Sequence, residues 1–136
     1  MYFTGRTRQA QEVERAKLGK LADNERTLGR MLSMVDDAYR VLTGSGTLAE
    51  LGGLLHASWI EKRKLDASVS APEIDALYDR ALAAGAIGGK LLGAGGGGFM
   101  LLLVPPERQA KVRAALASHH EVPIRINASG STVVHA

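Results

Sequence analysis

Cysteine is absent from the 136 residues, and aromatic residues make up only 4% of them. Without cysteine, neither a disulfide framework nor a thiolate metal site can form, which suits a reducing compartment. The chain also lacks an apolar run long enough for a signal peptide or a membrane span. We therefore expect a cytoplasmic protein with no membrane partner.

An excess of one charge is also lacking. The 17 Lys and Arg residues nearly balance the 14 Asp and Glu residues, and the net charge of +3 is spread along the chain. Because few aromatic residues accompany the basic ones, nucleic acid is not expected as a partner. A hydrophobic content of 46% over 136 residues suits one compact unit, so residues 1–136 are predicted to form a single domain.

Apolar spacing predicts four helices in the first two thirds of the chain. The first runs from about Thr7 to Leu21, and the second follows an N-cap at Asp23 or Asn24 and ends at Thr43–Gly46. The third runs from about Thr47 to Leu65, where the pair Gly52-Gly53 suggests close packing of another helix. The fourth begins with a capping box at Ser70–Glu73. The apolar stripe of the second helix comprises Leu28, Met31, Leu32, Val35, Ala38, Tyr39 and Leu42, and the buried seam of the third comprises Leu48, Leu51, Leu55 and Trp59.

Strands are predicted at Met1–Phe3 and in the last third of the chain, where a further helix starts at Pro106. The later strands are Gly89–Leu92, Gly98–Val104, Val122–Ile126 and Ser131–His135. This order favours an α+β fold with a small, mostly antiparallel sheet covered by helices, close to a ferredoxin-like split βαβ arrangement.

Half of the 16 glycines lie between Gly85 and Gly98, which needs a local cause. Backbone N–H groups without neighbouring Cβ atoms can form a donor surface for an anion, with Lys90 at its edge. The alternative is a tight connection, or a place where another backbone packs closely. A dinucleotide fold is disfavoured because the loop leads into a strand rather than a helix. The candidate residues of this glycine loop are Gly93, Ala94, Gly95, Gly96, Gly97 and Gly98.

Basic residues elsewhere are candidates for binding a phosphate. Arg6 and Arg8 follow the Thr4-Gly5 break, where guanidinium groups can meet an anion. The run Lys62-Arg63-Lys64 lies late in the third helix, where its complement to the helix dipole explains most of it. The face of the same helix that carries His56, Trp59 and Arg63 is nevertheless a second candidate patch. Neither the pair Asp36-Asp37 nor the histidines His119, His120 and His135 have metal-ligand spacing, so no metal site is predicted on this chain.

The segment GGKLLGAGGGGF, residues 88–99, resembles the third conserved motif of the GHMP kinases, the family of galactokinase, homoserine kinase and mevalonate kinase. Residues 2–8, 59–65 and 84–90 resemble most the branch acting on D-glycero-D-manno-heptose 7-phosphate. The resemblance covers nearly the whole chain, but only as the C-terminal domain of a kinase more than twice this length. It implies a fold of the GHMP kinase C-terminal type.

The resemblance also implies a function. ATP and Mg²⁺ would be bound mainly by an N-terminal kinase domain, and a sugar phosphate would be phosphorylated at its anomeric hydroxyl. This chain would close the cleft, with the glycine loop against the nucleotide and no catalytic residue of its own. Alone it is expected to be inactive, and its uncovered domain interface would favour a homo-oligomer. The alternative is a stand-alone module that binds a small anion or a partner. The implied substrate-binding residues are Thr4, Gly5, Arg6, Arg8, His56, Trp59, Arg63 and Lys90.

Overall fold

A three-stranded antiparallel sheet and five helices form the fold of residues 1–124, the part of the chain that the computed structural model describes. The strands stand in the order β1-β3-β2, and both neighbours of β3 run antiparallel to it. Two short 3-10 turns lie at Ala67–Val69 and Pro106–Arg108. The elements are β1 (Tyr2–Phe3), α1 (Ala10–Leu18), α2 (Leu21–Thr43), α3 (Leu48–Lys64), α4 (Pro72–Ala84), β2 (Gly88–Leu91), β3 (Phe99–Leu103) and α5 (Gln109–Ala115).

This architecture confirms the predicted α+β class with a small antiparallel sheet. Met100 in β3 pairs with Tyr2 on one side and with Leu91 on the other, so one register joins all three strands. Helix α3 packs along β2, and the two largest fully buried side chains of the core are Trp59 on α3 and Tyr78 on α4. Within residues 1–124, no helix combines the length and the apolar character needed to cross a bilayer.

Helix boundaries follow the predicted pattern with three corrections. Helix α1 is shorter than expected, because it begins at Ala10 and Gly19 already ends it. Helix α2 starts at Leu21, so the predicted N-cap at Asp23 or Asn24 is wrong. Asn24 instead lies inside the helix, where its buried side-chain amide donates to the Leu65 carbonyl oxygen at 2.8 Å.

The starts of α3 and α4 differ in how their first amides are capped. Thr47 and Glu50 form a reciprocal capping box at the start of α3. At α4 the predicted capping box is wrong, because the N-cap is Ala71 and Ser70 Oγ donates to Asp75 Oδ1 at 2.7 Å. Pro72 occupies the first turn, where its missing N–H costs no helical hydrogen bond.

The apolar residues of α2 and α3 are buried less completely than their spacing suggests. Leu48, predicted in the seam of α3, is exposed because it stands at the first position of the helix. On α2, Met31 and Ala38 are half-buried. A second line of residues, which we call the α2 stripe, is exposed at 60–68% and comprises Leu32, Val35, Tyr39 and Leu42.

Gly52 does permit a close approach, but its partner is strand β2 rather than a helix. A Cβ atom on Gly88 would lie 1.8 Å from the Gly52 carbonyl oxygen, and one on Gly52 would lie 2.7 Å from the Ile87 side chain. Gly53 faces open space within 4 Å. The backbones of α3 and β2 therefore touch at Gly52 and Gly88.

The C-terminal third agrees with the prediction up to α5, where Val112 and Leu116 are buried. The predicted strand at Val122–Ile126 does not appear in its described part, residues 122–124. Glu121 instead forms a single bridge to Tyr2. The rest of that strand, the predicted strand Ser131–His135 and His135 itself lie outside the described residues.

Candidate functional site

The glycine loop, residues 93–98, connects β2 to β3 through backbone conformations that favour glycine. Four of its residues have positive φ angles, which are 73° at Gly93, 120° at Gly95, 75° at Gly96 and 101° at Gly98. Side chains with a Cβ atom rarely adopt such angles. The clustering of glycine therefore has a conformational cause.

Close packing is a second cause. A Cβ on Gly95 would lie 2.9 Å from the Val69 Cα, and one on Gly97 would lie 2.6 Å from the Arg6 carbonyl oxygen. The middle of the loop thus packs between the 3-10 turn at Ala67–Val69 and the segment that follows β1. The two explanations weighed from the sequence, close packing and a donor surface, are compatible in this geometry.

The loop amides fall into two groups. Gly96 N–H donates to the Val69 carbonyl oxygen at 2.8 Å, and Gly98 N–H donates to the Arg6 carbonyl oxygen at 2.9 Å. The other N–H groups of the loop donate to no acceptor among residues 1–124. These unpaired amides belong to Gly93, Ala94, Gly95 and Gly97. An anion can accept hydrogen bonds of this kind without displacing a protein group.

The segment after β1 lies against the end of the loop. Both the backbone N–H and the hydroxyl of Thr4 donate to the Gly98 carbonyl oxygen at 2.9 Å. Gly5 is exposed, with a φ of 76° and open space around it. The predicted residues Thr4, Gly5 and Arg6 are therefore adjacent to the glycine loop, although the Thr4 hydroxyl already has an acceptor.

The predicted phosphate-binding arginines each have a carboxylate partner. Arg6 pairs with Glu73 at 2.8 Å, and Arg63 pairs with Asp75 at 3.0 Å. Since Glu73 and Asp75 both belong to the first turn of α4, the fold brings Arg6 and Arg63 to one helix end. Arg8 Nε lies 3.7 Å from Glu12 Oε2. The Arg8 side chain packs against Gly96, where a Cβ atom would lie 2.9 Å from Arg8 Cδ. A bound phosphate would compete with these carboxylates.

Lysine side chains contact the first half of the loop, and sequence reasoning missed two of them. Lys62 is buried on α3, where its ammonium donates to the carbonyl oxygens of Leu91 at 3.3 Å and Gly93 at 2.5 Å. Lys17 donates to the Ala94 carbonyl oxygen at 3.3 Å. The sequence signal for Lys62 was the run Lys62-Arg63-Lys64, which a helix end explains equally well. Lys90, which was predicted, is half-buried in β2.

Of the predicted patch on α3, the structure removes Trp59, while His56 and Arg63 are half-buried. Trp59 is fully buried in the core and meets the Tyr78 ring edge to face, so no surface remains for a ligand. His56 is half-buried, and its Nδ1 lies 2.9 Å from the Tyr78 hydroxyl oxygen. Burial raises the pKa of Tyr78 to about 12. Tyr78 of α4 thus packs against both Trp59 and His56, whereas Arg63 stays partly exposed at the end of the same helix face.

Comparison with known proteins identifies this domain. Residues 34–122 match the family model described as the C-terminal domain of GHMP kinases, and the chain therefore belongs to the GHMP kinase family. It is 37% identical over 121 residues to the D-glycero-alpha-D-manno-heptose 7-phosphate kinase of Campylobacter jejuni, a match that covers 85% of this chain and 34% of that protein. The chain thus spans about a third of this curated relative.

The structure of L. major mevalonate kinase in complex with R-mevalonate has the same fold in its matching part. The TM-score is 0.73 at 24% identity, over 86% of this chain and 36% of that one. At this identity the likeness concerns the fold alone. The family resemblance and the C-terminal domain fold inferred from the glycine motif are confirmed.

Proposed function

We propose that this chain is the substrate-binding, cleft-closing part of an ATP-dependent kinase that phosphorylates D-glycero-D-manno-heptose 7-phosphate at its anomeric hydroxyl. The observation that carries the proposal is the glycine loop, where four amides have no acceptor among residues 1–124 and Arg6 and Arg8 lie beside the loop. The similarity to the heptose phosphate kinase supports the choice of substrate.

The chemistry suits what this domain offers. Phosphoryl transfer needs alignment and charge stabilisation more than covalent help from the protein. Backbone amides and guanidinium groups supply both to a phosphate, and no general base is required of this part of the enzyme. We assign the loop to the nucleotide phosphates, and Arg6, Arg8, Arg63 and Lys90 to the sugar phosphate.

ATP and Mg²⁺ would be held mainly by an N-terminal kinase domain. Among residues 1–124, no three His, Asp or Glu side chains are grouped to bind a metal ion. We therefore propose no magnesium ligand on the described part of this chain. We retain the cytoplasm as the proposed location.

The decisive experiment joins this chain to the N-terminal segment of the Campylobacter relative that it does not cover. We expect ATP-dependent phosphorylation of heptose 7-phosphate by the joined protein and none by the 136-residue chain. Arg6→Gln should raise KM for the sugar phosphate about tenfold, since a charge-assisted hydrogen bond is lost. Arg40→Gln is the matched control, because Arg40 pairs with Asp37 on exposed α2.

Two outcomes would reject the proposal. Rapid ATP turnover by the 136-residue chain alone would show that the essential groups lie within it. A folded joined protein without activity on any sugar phosphate, but with phosphate bound at the loop, would favour the stand-alone anion-binding module instead.

A further inference from the structure

Lys62 is buried beneath the glycine loop and has no carboxylate partner among residues 1–124. Its side chain is 7% exposed, and no ion pair of residues 1–124 includes it. A buried ammonium group normally pairs with an acid, because its desolvation is costly. Here its acceptors are the carbonyl oxygens of Leu91 and Gly93. A side chain placed at such a cost needs a local reason.

The charges around Lys62 are mostly positive. The charges of Lys90 on β2 and Lys17 on α1 repel the Lys62 ammonium, and the carboxylate of Glu14 on α1 attracts it. Glu14 is itself paired with Lys17 at 2.7 Å. Burial and the two neighbouring lysines lower the pKa of Lys62 to about 8. The start of the loop therefore carries positive charge that an added anion would balance.

Peptide geometry connects Lys62 to the unpaired amides. In a trans peptide, the C=O and the N–H of the same unit point to opposite sides, and the described chain has no cis peptide. Because Lys62 holds the Gly93 carbonyl, the N–H of Ala94 in the same peptide points away from Lys62. Lys17 holds the Ala94 carbonyl and so directs the N–H of Gly95 in the same way. Neither amide has an acceptor among residues 1–124.

We propose that Lys62 is a positioning residue of a phosphate site: it holds the Gly93 carbonyl so that the Ala94 amide is free to donate to a phosphate oxygen. The inference rests on the proposed function and adds to it the group that orients the loop. A cation on the carbonyl side also polarises the peptide, which strengthens the amide as a donor. The phosphate belongs either to the nucleotide or to the sugar.

The test uses the 136-residue chain labelled with ¹⁵N and titrated with inorganic phosphate, ATP or mannose 6-phosphate. We expect phosphate to shift the Ala94 amide resonance, and the tighter of the two organic compounds identifies the source of the phosphate. Lys62→Met should abolish that shift and weaken binding about tenfold. Lys64→Met is the matched control on the same helix, because Lys64 is half-exposed and pairs with Glu61. It should change the affinity less than about twofold.

A pH series separates positioning from a merely structural role. Phosphate affinity of the wild type should fall between about pH 7 and pH 9, as Lys62 loses its proton. Lys62→Arg should not show this fall in affinity, because a guanidinium does not titrate in this range. In the wild type, saturating phosphate should raise the pKa of Lys62 as read from its Nζ resonance, a measurement that needs no variant.

Each result decides something different. A folded Lys62→Met protein that binds phosphate as the wild type does would overturn the inference and leave the proposed function intact. If both variants fail to fold, an unchanged pKa of Lys62 on phosphate binding would overturn it equally. A wild type in which none of the three compounds shifts the loop would overturn the inference, whereas the proposed function is decided separately by the activity of the joined protein.

Discussion

Gly52 and Gly88 bring the backbones of α3 and β2 into direct contact. A Cβ on Gly88 would lie 1.8 Å from the Gly52 carbonyl oxygen, well inside any real contact distance. Strand β2 leads directly into the glycine loop, so this contact sets the distance between α3 and the loop. The hydrogen bond from the Lys62 ammonium to the Gly93 carbonyl oxygen depends on this contact between the two backbones.

Gly88→Ala should therefore destabilise the protein by at least about 3 kcal/mol, because neither backbone can move aside without breaking the sheet. Gly53→Ala is the matched control, since the space around Gly53 is open and alanine favours a helix by about 1 kcal/mol. Urea unfolding of both variants measures the difference. Equal stability of Gly88→Ala and the wild type would contradict the close contact.

The local signals in the sequence predicted the fold well where a short segment decides the outcome. The tight connection predicted from the glycine cluster is such a case, because the positive φ angles of the loop follow from its composition. The capping box at Thr47–Glu50 is equally local but was not predicted, and the one predicted at Ser70–Glu73 is wrong. The side that a helix buries depends on its partners instead. Trp59 was predicted both in the buried seam of α3 and in a ligand-facing patch, and its full burial against Tyr78 confirms the seam.

The candidate site shows the same division. The sequence pointed to the glycine loop and to the arginines beside it as candidate anion-binding residues, because a glycine cluster and basic residues can be recognised without a structure. The pairing of Arg6 with Glu73 joins residues 67 positions apart, so no local pattern contains it. The burial of Lys62 could not be predicted, because Lys62 is one of three consecutive basic residues and only the packing of α3 decides which of them is buried.

The two hydrogen bonds from Thr4 to Gly98 lead to a second prediction. Thr4→Val removes the hydroxyl but keeps the shape, and Gly98 O retains the bond from the Thr4 N–H. We expect a loss of about 1 kcal/mol, and Thr4→Ser should lose less because it keeps the hydroxyl. Thermal unfolding measures both. If Thr4→Val weakened phosphate binding at unchanged stability, the hydroxyl would serve a ligand rather than the loop.

Asp66 should make stability depend on pH. Hydrogen bonds from the Lys20 ammonium and from the Ser68 N–H hold the pKa of this carboxyl well below its ordinary value. A lowered folded pKa means that the stabilisation is complete above the ordinary Asp pKa and is lost as the pH falls below it. Asp66→Asn should thus be less stable than the wild type at neutral pH, and the gap should close in acid.

Asp79→Asn, on α4, is the control for that comparison. Urea unfolding at neutral pH and at about pH 3 measures both variants against the wild type. A gap for Asp66→Asn that persisted unchanged in acid would show that the charge of Asp66 is not the source of its effect.

The α2 stripe should cause self-association of the 136-residue chain. Leu32, Val35, Tyr39 and Leu42 are exposed at 60–68% and recur at the spacing of one helix face. A continuous apolar face of this kind favours contact with another surface. We expect a concentration-dependent mass in light scattering, together with binding of a hydrophobic dye.

Replacing Leu32 and Tyr39 together by glutamate should shift the mass toward that of a monomer, because burying two charges in the contact opposes association. The matched control replaces Ala22 and Ser33 by glutamate, which adds the same two negative charges at exposed positions of α2 outside the stripe. A wild type that stays monomeric at high concentration and binds no dye would contradict the prediction. If both double variants dissociated equally, added negative charge rather than the stripe would be the cause, and the contact would have to be sought elsewhere on the chain.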